Sequence, residues 1–298
     1  MIAILAFVGA LAMQQTDTTF AVQPNARLEV RNTGGEISVN SWNRAAVRVQ
    51  ARHGSRERLT VRSTGSVVSI GSRAERGPGG IVDYQITVPA SMSVDLHGMY
   101  TDIVVEGVRG GVNARTMNGD IRVRNGQGAV SARSVQGAIR IEGVRGRVQA
   151  NTVSDGIRIS NVDGDVSAET VSGDIVLDRI QAGRVDGATV SGNVFYDGAI
   201  RNQGTYSFAT HSGNVTVAAP PGASATVSVA TLNGRLDSSF PVNVPDARQG
   251  RRFSFALGGG SARLEMETFS GNIQLRRTGE VRAPEDRQRL LGRARRSS

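Results

Sequence analysis

A nine-residue beat through the middle of the chain constrains its fold more than any other feature. Reading from Met117, the order is apolar-x-Gly-x-apolar-x-apolar-x-x, with Gly119, Gly128, Gly137, Gly146, Gly164 and Gly173 on the beat. Asp155 stands in once, beside Gly156. The match tightens over two beats. Met117-Asn118-Gly119-Asp120-Ile121, Val135-Gln136-Gly137-Ala138-Ile139, Val153-Ser154-Asp155-Gly156-Ile157 and Val171-Ser172-Gly173-Asp174-Ile175 align at 18 residues without a gap, and Val190-Ser191-Gly192-Asn193-Val194 follows after one insertion. A unit this short cannot bury its own apolar side and must stack on its neighbours, which means a solenoid.

Within each beat the alternation has period two: Ile121 and Val123 are apolar while Arg122 and Arg124 are polar, and Ile157 and Ile159 flank Arg158. That is the pattern of a half-buried strand. Two beats then make one coil with two strands, each pairing with its equivalent one coil away at ~4.8 Å. Ile121, Ile139, Ile157 and Ile175 are expected to form one buried column, and Val123, Ile141, Ile159 and Leu177 another. A hydroxyl precedes alternate corners at Thr116, Ser134, Thr152, Thr170 and Thr189, placed to satisfy corner backbone groups. The signature recurs off the strict period at Thr210-His211-Ser212-Gly213, Thr231-Leu232-Asn233-Gly234 and Thr268-Phe269-Ser270-Gly271, which predicts further coils separated by longer loops. No helical period appears over 20–275, so the expected class is all-β: a parallel β-solenoid with 18-residue coils.

The ends read differently. Residues 1–15 carry an apolar run closing on Ala10-Leu11-Ala12, an arrangement expected of a secretory signal peptide cleaved near Met13 or Gln14. Residues 16–95 are rich in alternating segments but off the beat, and are expected to form an N-terminal β cap continuous with the solenoid over 96–278. Residues 279–298 lose the alternation and become a basic tail, expected to be solvated.

Composition removes several chemistries. Cys is absent, so neither disulfides nor thiol catalysis are available. The lone Trp42 and sparse aromatics leave no row of platforms for sugar rings, and no convincing pair of carboxylates suggests glycoside chemistry. His53, His97 and His211 have no ligand spacing. Calcium β-rolls of the G-G-x-G-x-D type need more glycine and a regular Asp. Here Asp163, Asp165, Asp174 and Asp178 are the nearest candidates, and no metal or other cofactor is expected. The expectation is a protein that is not an enzyme.

One charged arrangement survives. All 35 basic residues are Arg, and the formal charge is +9. Arg122, Arg140 and Arg158 occupy one outward position at 18-residue spacing, and Arg115 and Arg133 another. Stacked at ~4.8 Å, such columns repel unless the side chains splay into water or meet an anion. They form the candidate patch for anionic polysaccharide or lipid headgroups. The chain turns acidic from Asp163 to Asp186.

The T-[VML]-[SN]-G-[DN]-I unit, followed by V-x-G-x-V-x-A, resembles the bacterial β-strand-repeat family named "putative adhesin" over about residues 25–275. That resemblance implies an exported or membrane-tethered envelope protein with no catalytic residues to carry over; some relatives are linked to envelope-stress systems. The combined expectation is an exported adhesin-like binding or scaffold module of the periplasm, envelope or cell surface. Its expected partners are anionic polymers, lipids or envelope proteins, and no nucleic acid. A polysaccharide lyase or hydrolase on the same fold, or a self-assembling filament, is the alternative.

Overall fold

A computed structural model describes residues 14–23, 26–75, 77, 79–241 and 252–281. Among them no helix forms, and the strands join into one continuous wrapped sheet. The predicted leader, residues 1–13, lies outside the described residues. Gln14 and Gln15, also assigned to the leader, begin a strand that pairs with Arg52 and His53.

The strands stack in two walls around one core. Wall A contains Val112–Asn118, Val130–Gln136, Val148–Asn151, Val166–Ser172, Arg184–Ser191 and Thr205–Ser212. Wall B contains Ile121–Arg124, Ile139–Glu142, Ile157–Asp163, Ile175–Gln181, Val194–Gly198 and Val215–Ala219. Successive strands in each wall are parallel, and the register follows the beat: Ile121, Ile139, Ile157, Ile175 and Val194 are direct neighbours. The four isoleucines are 0–1 % exposed, as are Val123, Ile141, Ile159 and Leu177. At about 1.5–3 kcal/mol for each fully buried aliphatic side chain, these columns supply most of the force that holds one coil on the next.

The corner between the walls explains the rest of the motif. The hydroxyls of Ser134, Thr152, Thr189 and Thr210 donate to the carbonyls of Gly119, Gly137, Gly173 and Gly192 at 3.0, 3.1, 3.1 and 2.9 Å. Each tie therefore runs to the neighbouring coil. Glycine is needed at the corner because the backbones nearly touch. A Cβ on Gly137 would lie 2.0 Å from the Gly119 carbonyl oxygen, at a φ of +146° that side chains avoid. The Asp or Asn that follows builds a second ladder. Asp120 Oδ1 accepts the Ala138 N–H at 2.9 Å, Asp174 Oδ1 that of Asn193 at 2.7 Å, and Asn193 Oδ1 that of Asn214 at 3.0 Å. These Asp and Asn side chains thus serve the backbone of the next coil.

Toward the C-terminal end the core widens. The Ala114, Ala132, Ala150, Ala168 column gives way to Gly187 and then Phe208. Phe208 lies 4.9 Å from the Tyr196 ring, and the buried hydroxyls of Tyr196 and Tyr206 donate to the Ala199 and Ala182 carbonyls at 2.8 Å each. The few aromatics are thus concentrated where small residues leave room.

At both ends the order in space departs from the order in sequence. Ala262–Ser270, last of the three off-period signatures, sits between Thr205–Ser212 and Ala225–Asn233. Ile273–Arg277 likewise lies between Val215–Ala219 and Leu236–Ser238. The signatures do form coils, but not in the succession their sequence order suggests. At the other end the long strand Arg27–Trp42 is itself a coil, inserted between Ser93–Glu106 and the pair Val67–Ala74 and Val82–Pro89. The expected boundary at 95/96 therefore falls within the strand Ser93–Glu106. Antiparallel strands finish the stack: Gln14–Ala21 on Ala46–His53, Glu57–Thr64 on Val67–Ala74, and Arg252–Leu257 on Ala225–Asn233. The first residues of the expected tail turn back, and Val281 packs on Val176 and Phe195 outside wall B. Residues 282–298 lie outside the described residues.

Candidate anion-binding face

The outer face of wall A carries three rows that run along the solenoid. The row nearest the corner, one residue after each capping hydroxyl, reads Met117, Val135, Val153, Val171, Val190, His211, Phe269 and Leu232 in spatial order, with Met99 one coil before Met117. The apolar members are 43–57 % exposed. The next row changes sign along its length: His97, Arg115, Arg133, Asn151, Glu169, Ala188, Ala209, Glu267, Ala230. The third ends in Asp186, Ser207, Glu265 and Ser228. The face is basic toward the N-terminal end and acidic toward the other.

At the basic end the wall hollows. Arg31, Arg58, Arg62, Arg73 and His97 line a shallow concavity of about 870 Å³, floored by Gly71, Gly98, Ser69 and Thr60. The small floor residues make the hollow, because the arginines rise from strands around glycine and hydroxyl positions. Arg58 is held by Glu75 at 2.5 Å, and His97 Nε2 lies 3.0 Å from Asp95. Among the described residues no carboxylate stands within ion-pair distance of Arg31, Arg62 or Arg73. Exposed guanidinium groups without acids nearby are forks available to phosphate, sulfate or carboxylate.

The five arginines expected from the sequence divide between the walls. Arg115 and Arg133 are neighbours on wall A, next to the hollow. Arg133 donates to Gln149 Oε1 at 3.3 Å. Arg122, Arg140 and Arg158 do form one column, but on wall B. There the anion that relieves repulsion comes from the chain itself: Asp120 Oδ2 lies 2.7 Å from Arg122 and 3.3 Å from Arg140. Arg31, Arg58, Arg62 and Arg73 were not singled out in the sequence. Their density was visible, but the off-beat strands give no register from which convergence could be read.

Among the described residues the acidic groups do not gather into a competing centre. Asp163 faces Arg201 at 3.4 Å and Asp165 faces Arg147 at 4.0 Å. Asp178 and Asp197 are register neighbours on wall B, where Asp178 meets Arg179 at 2.9 Å and Asp197 accepts from Thr278 at 3.4 Å. They lie side by side in one wall rather than across a groove. Among the described residues no group of three His, Cys, Asp or Glu is placed to hold a metal ion. Nor does any described helix reach membrane-spanning length and hydropathy.

Two parallel walls tied by hydroxyl and Asx ladders define the class: a two-walled β-solenoid with threaded ends. The chain belongs to the Toastrack DUF4097 family, whose model matches residues 17–197. No curated protein matches the chain. Two solved structures are similar at 10 % identity each. One, from Bacteroides fragilis NCTC 9343, is described as a "putative adhesin"; the likeness covers 88 % of this chain and 97 % of that one, with a TM-score of 0.44. The other, from Clostridium sporogenes ATCC 15579, is described as a "putative cell adhesion protein", covering 89 % and 100 % with a TM-score of 0.23.

Proposed function

We propose that the protein is an exported, non-enzymatic binding module of the cell envelope, and that the basic end of wall A takes anionic polymer or lipid headgroups. The observation that carries this reading is the hollow in which Arg31, Arg62 and Arg73 stand without carboxylate partners. Arg115 and Arg133 lie next along the wall and add to the positive field that draws anions toward the hollow. A rigid stack is suited to binding a repeating polymer, since its charges keep fixed spacings. The antiparallel strands that finish both ends of wall A and the N-terminal end of wall B weigh against a filament of end-to-end coils, because they do not continue the parallel ladder.

The test is retention on an acidic polysaccharide and on vesicles containing phosphatidylglycerol, for the wild type and an Arg31→Gln, Arg62→Gln, Arg73→Gln variant. The variant is expected to fold normally and lose most binding, on the order of tenfold or more. Wild-type binding should fall steeply with salt, since exposed charges are screened over ~8 Å at physiological ionic strength. Substituting Arg122, Arg140 and Arg158 by Gln should change binding little, because Asp120 already faces that column. Equal binding by wild type and the groove variant overturns the assignment.

A further inference from the structure

Of the six positions of the T-x-[SN]-G-[DN]-I motif, four are used by the fold and the polar [SN] position stands in water, as a corner residue can. The hydroxyl caps a carbonyl, the glycine permits close approach, the Asp or Asn accepts an N–H, and the isoleucine is core. The position after the hydroxyl remains. It is apolar or aromatic in coil after coil, from Met99 to Leu232, while standing in water at 43–57 % exposure. At its end His211 and Phe269 stack at 4.7 Å. Among the described residues no other element packs over this ridge. Solitary exposed apolar residues need no explanation, but an unbroken row does.

From these observations we infer that the ridge is a self-association surface, on which two copies pack wall A against wall A with their solenoid axes antiparallel. Period comes first. Two identical rows at ~4.8 Å spacing match along their whole length of about 38 Å, whereas an unrelated partner has no reason to share that repeat. Charge fixes the orientation. A two-fold axis perpendicular to the solenoid at Val171, the middle rung, lays each row on its own reverse, so Arg115, with Arg133 one rung away, comes level with Glu267 of the other copy, while Glu169 sits at the axis. A parallel pairing would instead hold each coil level with its own copy, so that Glu267 stands level with Glu265 and Glu267 of the other copy and Arg115 and Arg133 meet no acid. Area is sufficient. Three rows give a footprint of roughly 38 by 20 Å, on the order of 800 Å² per copy, the size of a standard specific interface. An anionic bilayer is the poorer occupant, because Glu169, Asp186, Glu265 and Glu267 share the face and would be repelled by it.

The test uses sedimentation of the full chain, with a Val153→Asp, Val171→Asp variant. Both sites are exposed, so circular dichroism and melting should be unchanged. The wild type is expected to dimerise at about 100 µM or below, within the range of a weak specific interface, and the variant to remain monomeric. Because the chain has no cysteine, orientation is read directly. A mixture of Met117→Cys and Phe269→Cys proteins should cross-link to each other several-fold faster than either does to itself. A wild type that stays monomeric at that concentration, or a variant that dimerises equally, overturns the interface. Faster self-linking by Met117→Cys overturns the antiparallel arrangement. A monomeric wild type whose vesicle binding is lost in the Val153→Asp, Val171→Asp variant assigns the ridge to lipid instead. The Arg31, Arg62, Arg73 variant should dimerise normally, so the ridge and the groove stand or fall separately.

Discussion

The coils between Val112 and Gly198 and the coils at the two ends are built from the same unit, yet they are held in place differently. In the middle each coil contacts the coils before and after it in sequence, and 18 residues carry the chain one step along the axis. At the C-terminal end the chain leaves the stack, builds an outer coil, and returns with Ala262–Arg277 to fill the gap it left; at the other end Arg27–Trp42 comes first, the outer coil follows, and the chain then passes to the inner side with Ser93–Glu106. A regular array has nearest-neighbour energetics, so any coil resembles any other and fraying costs little. An inserted coil closes a long loop, and the outer coil is held only while the inserted one is present. Both ends are therefore locks on an array that would otherwise open from its termini.

The largest effect should come from removing a lock. Truncation after Leu257 deletes the inserted coil. It should strip Ala225–Asn233 from the stack and expose the Tyr206 and Phe208 end of the core, producing early proteolysis and a collapsed melting transition. In-frame removal of residues 139–156 deletes a full coil from the middle and joins Ala138 to Ile157 in register. That chain should remain folded and melt within several degrees of the wild type. If the two deletions are equally damaging, the distinction between locked ends and repeating middle is wrong.

Next in size is Ile157→Asp, which puts a charge into a column that is 1 % exposed and offers it no partner. A cost of about 4 kcal/mol or more is expected, seen as two separate transitions as the array uncouples at its centre. A single transition near the wild-type temperature would show that the columns do not couple the coils.

The corner gives a smaller, paired comparison. A Cβ at Gly192 would stand 2.1 Å from the Gly173 carbonyl oxygen at a φ of +155°, whereas one at Gly183 would meet nothing within 4 Å. Gly192→Ala should therefore cost about 3 kcal/mol. Gly183→Ala should be neutral or stabilise by about 0.5 kcal/mol through the unfolded chain. Denaturant titration of the two variants reads both, and equal effects would remove backbone contact as the reason for the glycine beat.

The smallest effect is a pH dependence on wall B. Burial, reinforced by the neighbouring Asp178, holds the Asp197 carboxyl above the usual aspartate range. A folded value above the unfolded one means that the protonated group favours the folded state. Its contribution is complete below the ordinary carboxylate pKa and is lost as pH rises through the raised value. Asp197→Asn should thus melt higher than the wild type at neutral pH, with the gap closing as pH falls toward 4. Parallel curves across that window would assign the difference to something other than the charge.

Much of the middle was legible in the sequence because solenoid register is local arithmetic. Once Ile121, Ile139 and Ile157 repeat at 18 and alternate at two, parallel pairing puts them in one buried column, and the hydroxyl before each glycine has only the next corner to reach. The sequence also determined that the off-period signatures at Thr210, Thr231 and Thr268 are coils. Their order in space was beyond it. Period two and an 18-residue step define a strand and its neighbour only while each coil follows the last. Across the stretches from Ser41 to Ser93 and from Pro220 to Ala262, loop closure leaves several coils within reach, and packing chooses among them. The same limit governs the surface. The beat groups Met117 and Val135 with the buried Ile121 and Ile139, but they continue the outward phase of Arg115 and Arg133, and the phase reverses only at the Gly119 and Gly137 corners. The arginine column was correctly aligned, yet only the folded corner brings Asp120 to it and gathers Arg31, Arg58, Arg62 and Arg73 from separate strands into one hollow. Short-range periodicity determines the coil; which charges meet across coils depends on distances that no sequence interval contains.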